Sequence, residues 1–132
     1  ERLQFLDSEL KEIDGFKNLT YKEYCDDKFK RRNIERWTEN IINATIDIAK
    51  IILASEKKRM PKTYEEALFH FGNLAGLTDE ESKRLSQFAS LRNILAHEYL
   101  NILYDRIKKF IAKSPGIYKK ILKFLERDLK LK

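Results

Sequence analysis

Apolar residues recur every three or four positions along nearly the whole chain, and no stretch alternates long enough to read as a strand. Leu3, Leu6, Leu10 and Ile13 share one face of a first helix over about Arg2 to Ile13, which Asp14-Gly15 ends. Thr20 and Glu23 have capping-box spacing and open a second helix expected to run unbroken to about Glu56. Within it Ile34, Trp37, Ile41, Ala44, Ile48 and Ile51 form a core stripe, with Ile42, Ile46, Ala49 and Leu53 beside it. So wide an apolar sector belongs to a central helix or to one with a face covered by another chain.

Pro61 breaks the pattern. Thr63 and Glu66 repeat the capping-box spacing and start a short helix with Leu68, Phe71 and Leu74 inward, stopped by Gly76. Thr78 and Glu81 repeat it again. A further helical segment follows Asn101, and Ser114-Pro115-Gly116 predicts a break there, with Ser114 as N-cap of a last helix carrying Ile117, Ile121, Leu122, Phe124, Leu125 and Leu129. The expected fold is all-α, an up-and-down bundle of four or five helices formed by one domain over residues 1–132.

Composition narrows the function. The 132 residues carry 27 Lys and Arg against 21 Asp and Glu, a net charge of +6, which favours an acidic partner such as nucleic acid. The single cysteine, Cys25, excludes an internal disulfide and Cys-rich zinc sites; it reads as a half-buried helix residue rather than a nucleophile, and it fits a cytoplasmic setting. Two histidines far apart in sequence disfavour a metal centre, and the lack of a Gly-rich phosphate loop disfavours a nucleotide-cofactor fold, so neither metal nor cofactor is expected. No apolar run is long enough to span a bilayer, and no membrane partner is expected.

The segment Leu91-Arg92-Asn93-Ile94-Leu95-Ala96-His97-Glu98-Tyr99 carries the chemistry. Phe88, Leu91 and Leu95 set its core face. Relative to Arg92, a helix places Asn93 about 100° round, Ala96 about 40° and His97 about 140°. These residues therefore point away from that stripe, on a side that also holds the small Ser86, Ala89 and Ser90, where a second copy of the chain could approach. Asn93, four residues before His97, can orient the imidazole by hydrogen bonding. Tyr99 joins His97 in one site only if the helix ends or loosens near His97. Arg with His suits RNA cleavage: the imidazole takes the proton of a ribose 2′-OH, and the guanidinium grips the scissile phosphate and stabilises the transition-state charge. Spacing alone leaves a surface or structural role for this pair the better bet.

This motif resembles the signature of the HEPN superfamily: Arg, a polar residue, and His after a short spacer. Tyr two places past the His resembles the HepT branch in particular. The long helix from Arg36 to Ile51, with Glu39, Asp47 and Ile48, and the run Pro61-Lys62-Thr63-Tyr64-Glu65-Glu66-Ala67 resemble that family's second and third helices in the right order. The resemblance does not extend to the basic segment from Ser114 onward. It implies a homodimeric toxin ribonuclease that cuts tRNA or mRNA. Arg92 and His97 would be the catalytic pair, Asn93 their support, and Tyr99 the residue to which an MntA-like nucleotidyltransferase antitoxin attaches AMP. The competing reading is a non-catalytic HEPN subunit that serves a nucleotidyltransferase.

Other residues keep two readings. Asn40, Asn43 and Asp47, with Arg36 and Glu39 close by, form either a second wall of the site, Asp47 and Glu39 supporting a base, or a solvated or interface stripe. Arg31, Arg32 and Arg36 either track phosphates or pair with Glu35 and Glu39. Lys119, Lys120, Lys123, Arg127, Lys130 and Lys132 make either an RNA-binding face or a soluble tail. Trp37 and Phe71 read as core, and His70 as surface.

Overall fold

The computed structural model describes residues 2–56, 61–95 and 100–128, and among these residues the regular structure is helical throughout. Six α-helices follow one another: α1 (Arg2–Leu10), α2 (Tyr21–Asp26), α3 (Lys28–Ser55), α4 (Tyr64–Leu74), α5 (Asp79–Ile94) and α6 (Leu100–Asp128). The last predicted turn of the first helix tightens into a 3-10 turn over Lys11–Gly15. The all-α bundle expected from the periodicity is the observed class.

Two boundaries differ from the expectation. The predicted helix from Thr20 is two helices, because Asp27 leaves helical geometry (φ −108°, ψ 100°) and its carboxylate accepts from the backbone N–H groups of Phe29 and Lys30. Asp27 thus ends α2 and caps α3, satisfying two donors that a continuous helix would have bonded itself. Conversely, the predicted break at Ser114-Pro115-Gly116 does not occur: α6 passes straight through Pro115. Leu103, Ile107, Phe110, Ile111, Ser114, Ile117, Tyr118, Ile121 and Leu125 are all buried, an unbroken stripe of threes and fours. Burial of that stripe outweighs the roughly 3 kcal/mol that proline costs a helix interior. Ser114 is therefore no N-cap; its hydroxyl is buried without a hydrogen-bond partner among the described residues.

Helix α3 is central, with Ile34, Trp37, Ile41, Ile42, Ile46, Ala49 and Ile52 buried on a wide sector. Ile51, expected in its core stripe, is instead 52% exposed. Rings join α3 to α5 and α6: Trp37 lies 4.7 Å from Phe16 and 5.7 Å from Phe110, and Phe110 meets Phe88 edge-on at 4.8 Å. Tyr118 is fully buried and shares a 2.6 Å hydrogen bond with Thr45. The N-terminal part is held by the same helices: the Trp37 indole donates to the Glu9 carbonyl (2.6 Å), Tyr104 to the Leu19 carbonyl (2.8 Å) and Lys108 to the Lys17 carbonyl (2.6 Å).

Local chemistry fixes the turn that presents α5. Gly76 adopts φ +88°, which glycine takes at no steric cost. Around it Leu77 N–H bonds Gly72 C=O and Gly76 N–H bonds Asn73 C=O, the Schellman pattern. Thr78 and Glu81 then close a reciprocal capping box. Thr20 and Glu23 form the same box, whereas Thr63 caps α4 alone and Glu66 accepts from Lys62 N–H instead.

Candidate active site

Helix α5 is seated by Leu85, Phe88 and Leu91, each at most 5% exposed. This fixes its rotation, so Arg92 emerges half-buried at its last turn and Asn93 is exposed. A cation in the last turn also complements the negative end of the helix dipole. The helix stops at Ile94, and Leu95 closes it by donating to Leu91 C=O at 3.1 Å. His97 and Tyr99, which could share one site only if the helix ended or loosened near His97, follow α5 in sequence. Both residues, with Ala96 and Glu98, lie outside the described residues, and so does the expected Asn93–His97 hydrogen bond.

The guanidinium of Arg92 sits over the ring of Tyr64, its central carbon 4.9 Å from the ring centroid. The ammonium of Lys50, from α3, sits 4.8 Å from the same centroid. Tyr64 is the first residue of α4, held there by the Thr63 cap, and Ser90 on α5 reaches Glu65 next to it at 3.3 Å. Three helices therefore bring one aromatic ring and two cations together. The ring face attracts each cation and restrains its side chain, leaving the charges able to meet an anion. The arginine placed there offers a planar fork of donors matched to a phosphate.

The remaining predicted residues divide. Asp47 forms a 3.8 Å ion pair with Arg2, and Asn40 donates to Glu9 at 3.1 Å, so this part of the α3 polar stripe faces α1. Glu39 and Asn43 are exposed. Neither Asp47 nor Glu39 bonds Arg92 among the described residues. Ala89, expected on the outward small-residue face, is only 2% exposed because α3, α4 and α6 all pack around α5 within the chain. Ser86 and Ser90 remain partly exposed. Trp37 and Phe71 are core, His70 is exposed, and Cys25 is half-buried in α2.

Sequence reasoning missed Lys50, and it noticed Tyr64 only as part of a resembling run. Lys50, Tyr64 and Arg92 lie on three different helices, so no spacing within one helix links them.

Comparison with known proteins bears on the same segment. The family described as "Ribonuclease HepT-like" matches residues 6–127. The chain belongs to the HepT-like ribonuclease family. A relative from Aphanizomenon flos-aquae (strain 2012/KM1/D3), named tRNA nuclease HepT, is 32% identical over 113 residues, covering 86% of this chain and 76% of that protein. Cleavage of RNA, read from Arg92 and His97 together with the resemblance, is the activity of this HepT-like family. Among the described residues no helix is long and apolar enough to cross a membrane.

Proposed function

We propose that this chain is the toxin of a two-gene toxin–antitoxin pair, a metal-independent endoribonuclease acting through Arg92 and His97 at the seam of a symmetric homodimer. The observation that carries the reading is the placement of Arg92. Its guanidinium is restrained over Tyr64 beside a second cation, at the end of the helix that leads into His97. A group held in this way resists the lysine-like wandering that would blunt its grip on a phosphate.

The chemistry needs only protein groups. One imidazole takes the proton of a ribose 2′-OH, the 2′-oxygen forms a bond to the adjacent phosphorus, and the bond to the 5′-oxygen breaks. The second copy's imidazole protonates that departing oxygen, and a 2′,3′-cyclic phosphate remains. Arg92 stabilises the extra negative charge on the phosphoryl oxygens in the transition state. Asn93 orients the imidazole. The substrate class is tRNA, after the relative that bears that name. The setting is the cytoplasm, where tRNA and a partner nucleotidyltransferase are both met.

Silencing follows from Tyr99. An MntA-like antitoxin that transfers AMP from ATP to its hydroxyl, with the hydroxyl proton and pyrophosphate leaving, would set a bulky phosphate near Arg92, where it competes with the substrate phosphate and blocks entry. The deciding experiment is cleavage of tRNA in EDTA by wild type and His97→Ala, with mass spectrometry of Tyr99 in the same samples. EDTA-resistant cutting by protein with bare Tyr99, lost in the variant, supports the reading. Absence of cutting despite bare Tyr99 refutes it. Tyr99→Phe should cut normally and escape silencing; continued silencing by the antitoxin would exclude the covalent route.

A further inference from the structure

A second basic feature lies along the seam between α5 and α6. An open groove there is lined by Arg84, Gln87 and Ser90 from α5 and by Arg106, Lys109 and Lys113 from α6. Every titratable residue in its lining is a cation. Arg106, Lys109 and Lys113 stand at i, i+3 and i+7, one face of the helix, and extend along about 10 Å of it. All three are exposed, and none takes part in an ion pair among the described residues. Arg84 pairs with Glu80 at 4.0 Å.

The floor of the groove is apolar and closed. Phe88, Leu91 and Phe110 form it, each at most 5% exposed, with the two phenyl rings in edge-on contact at 4.8 Å. The charged groups stand on the rim above this apolar floor, where a repeating anion would meet them first. One end of the groove is Ser90, whose hydroxyl reaches Glu65 next to Tyr64, so the groove adjoins the ring that holds Arg92.

We infer that the α5–α6 groove binds the sugar-phosphate backbone of the RNA substrate, with Arg106, Lys109 and Lys113 contacting successive phosphates and carrying the strand toward Arg92. The inference rests on the chain's being an RNA-cutting enzyme and goes beyond it by assigning substrate binding to residues outside the Arg92–His97 motif. Contacts of this kind position the strand without reading its sequence. They also make binding steeply dependent on salt, because each phosphate neutralised releases counterions.

The test compares Arg106→Gln/Lys109→Gln/Lys113→Gln with a control of equal charge loss, Lys11→Gln/Lys22→Gln/Lys28→Gln, on exposed positions outside the groove lining. Binding of a fluorescein-labelled tRNA transcript is followed by anisotropy in EDTA across a salt series, in a His97→Ala background that prevents cutting. The groove variant should weaken binding roughly tenfold near 0.1 M salt and lower the slope of log K against log salt by about 2, at about 0.7 for each phosphate no longer neutralised. The control should shift neither by more than about a third as much. With His97 intact, the groove variant should raise KM while leaving kcat within about twofold. Equal effects from both triple variants, or an unchanged slope in the groove variant, would overturn the inference, whereas the ribonuclease reading stands or falls separately on cleavage by the wild type. Unchanged tRNA binding together with lost capture of the chain's own nucleotidyltransferase would reassign the groove to a protein partner.

Discussion

Replacing Tyr64 tests whether the ring is what makes Arg92 effective. The Tyr64 side chain is 39% exposed, so each cation on its face gains the exposed-site value of about 0.5–1 kcal/mol. Tyr64→Leu removes the ring face from both Arg92 and Lys50. If only the restraint on Arg92 is felt in the transition state, kcat/KM falls about 2- to 5-fold; if Lys50 also contributes, the loss is about 1–2 kcal/mol, or about 5- to 30-fold. Arg92→Ala, which removes the charge itself, should cost about 10²- to 10³-fold. Tyr64→Phe keeps the ring and should stay within about twofold of wild type. The assay is cleavage of one defined tRNA under kcat/KM conditions, with thermal melts to confirm that each variant folds. Wild-type activity in Tyr64→Leu would refute the restraint argument. Equal damage in Tyr64→Phe would refute it differently, by placing the effect in the hydroxyl.

Three further outcomes follow from the packing. A Cβ at Gly72 would stand 2.7 Å from the Ser82 hydroxyl and 3.2 Å from Leu77, so Gly72→Ala should destabilise by about 1–3 kcal/mol, and by clearly less in a Ser82→Ala background; strict additivity in a denaturation cycle would exclude this clash. Ser114→Ala removes a buried hydroxyl that has no partner among the described residues and should stabilise by about 1–2 kcal/mol; a lowered Tm would show that the hydroxyl is satisfied after all. Glu23 is held down to about 2 by the hydrogen bond from Lys30 and by the backbone and hydroxyl of Thr20. Its folded pKa lies below the unfolded value, so its stabilisation is complete above the ordinary carboxylate range and fades as pH falls toward about 2. Glu23→Gln should therefore be less stable than wild type at neutral pH and should converge on it in acid. A difference that persists at pH 2 would contradict the assignment.

Much of the fold was legible because helix signals are local. The Thr20, Thr63 and Thr78 caps, the Gly76 stop and the apolar periods needed no knowledge of tertiary contacts. Asp27 was hidden because Asp can sit in a helix; only the bonds it makes to Phe29 and Lys30 reveal a cap. Ser114-Pro115-Gly116 misled for the opposite reason, since a strong local stop was overruled by the buried stripe running past it. At the candidate site, Arg92 and Asn93 were singled out by the motif, and the structure places them at the last turn of α5. Lys50 and the groove cations were invisible because the Tyr64 ring and the α5–α6 seam that gather them exist only after the chain has folded.

The clasp between α6 and the N-terminal segment also orders events during synthesis. Tyr104 and Leu19 lie 85 residues apart, and Lys108 and Lys17 lie 91 apart. At about 5–20 residues per second, several seconds of translation separate the two sides of each bond. Through that interval the nascent chain lacks one entire wall of the basic groove, the α6 side, and the N-terminal helices have not received their cover. Helices α1 to α5 can acquire local structure on the ribosome, but Arg92 emerges before Arg106, Lys109 and Lys113 exist. The protein is thus made in an order that withholds its full electrostatic surface until α6 has been synthesised, so that, if the groove holds RNA as proposed, a partly built chain lacks the means to do so.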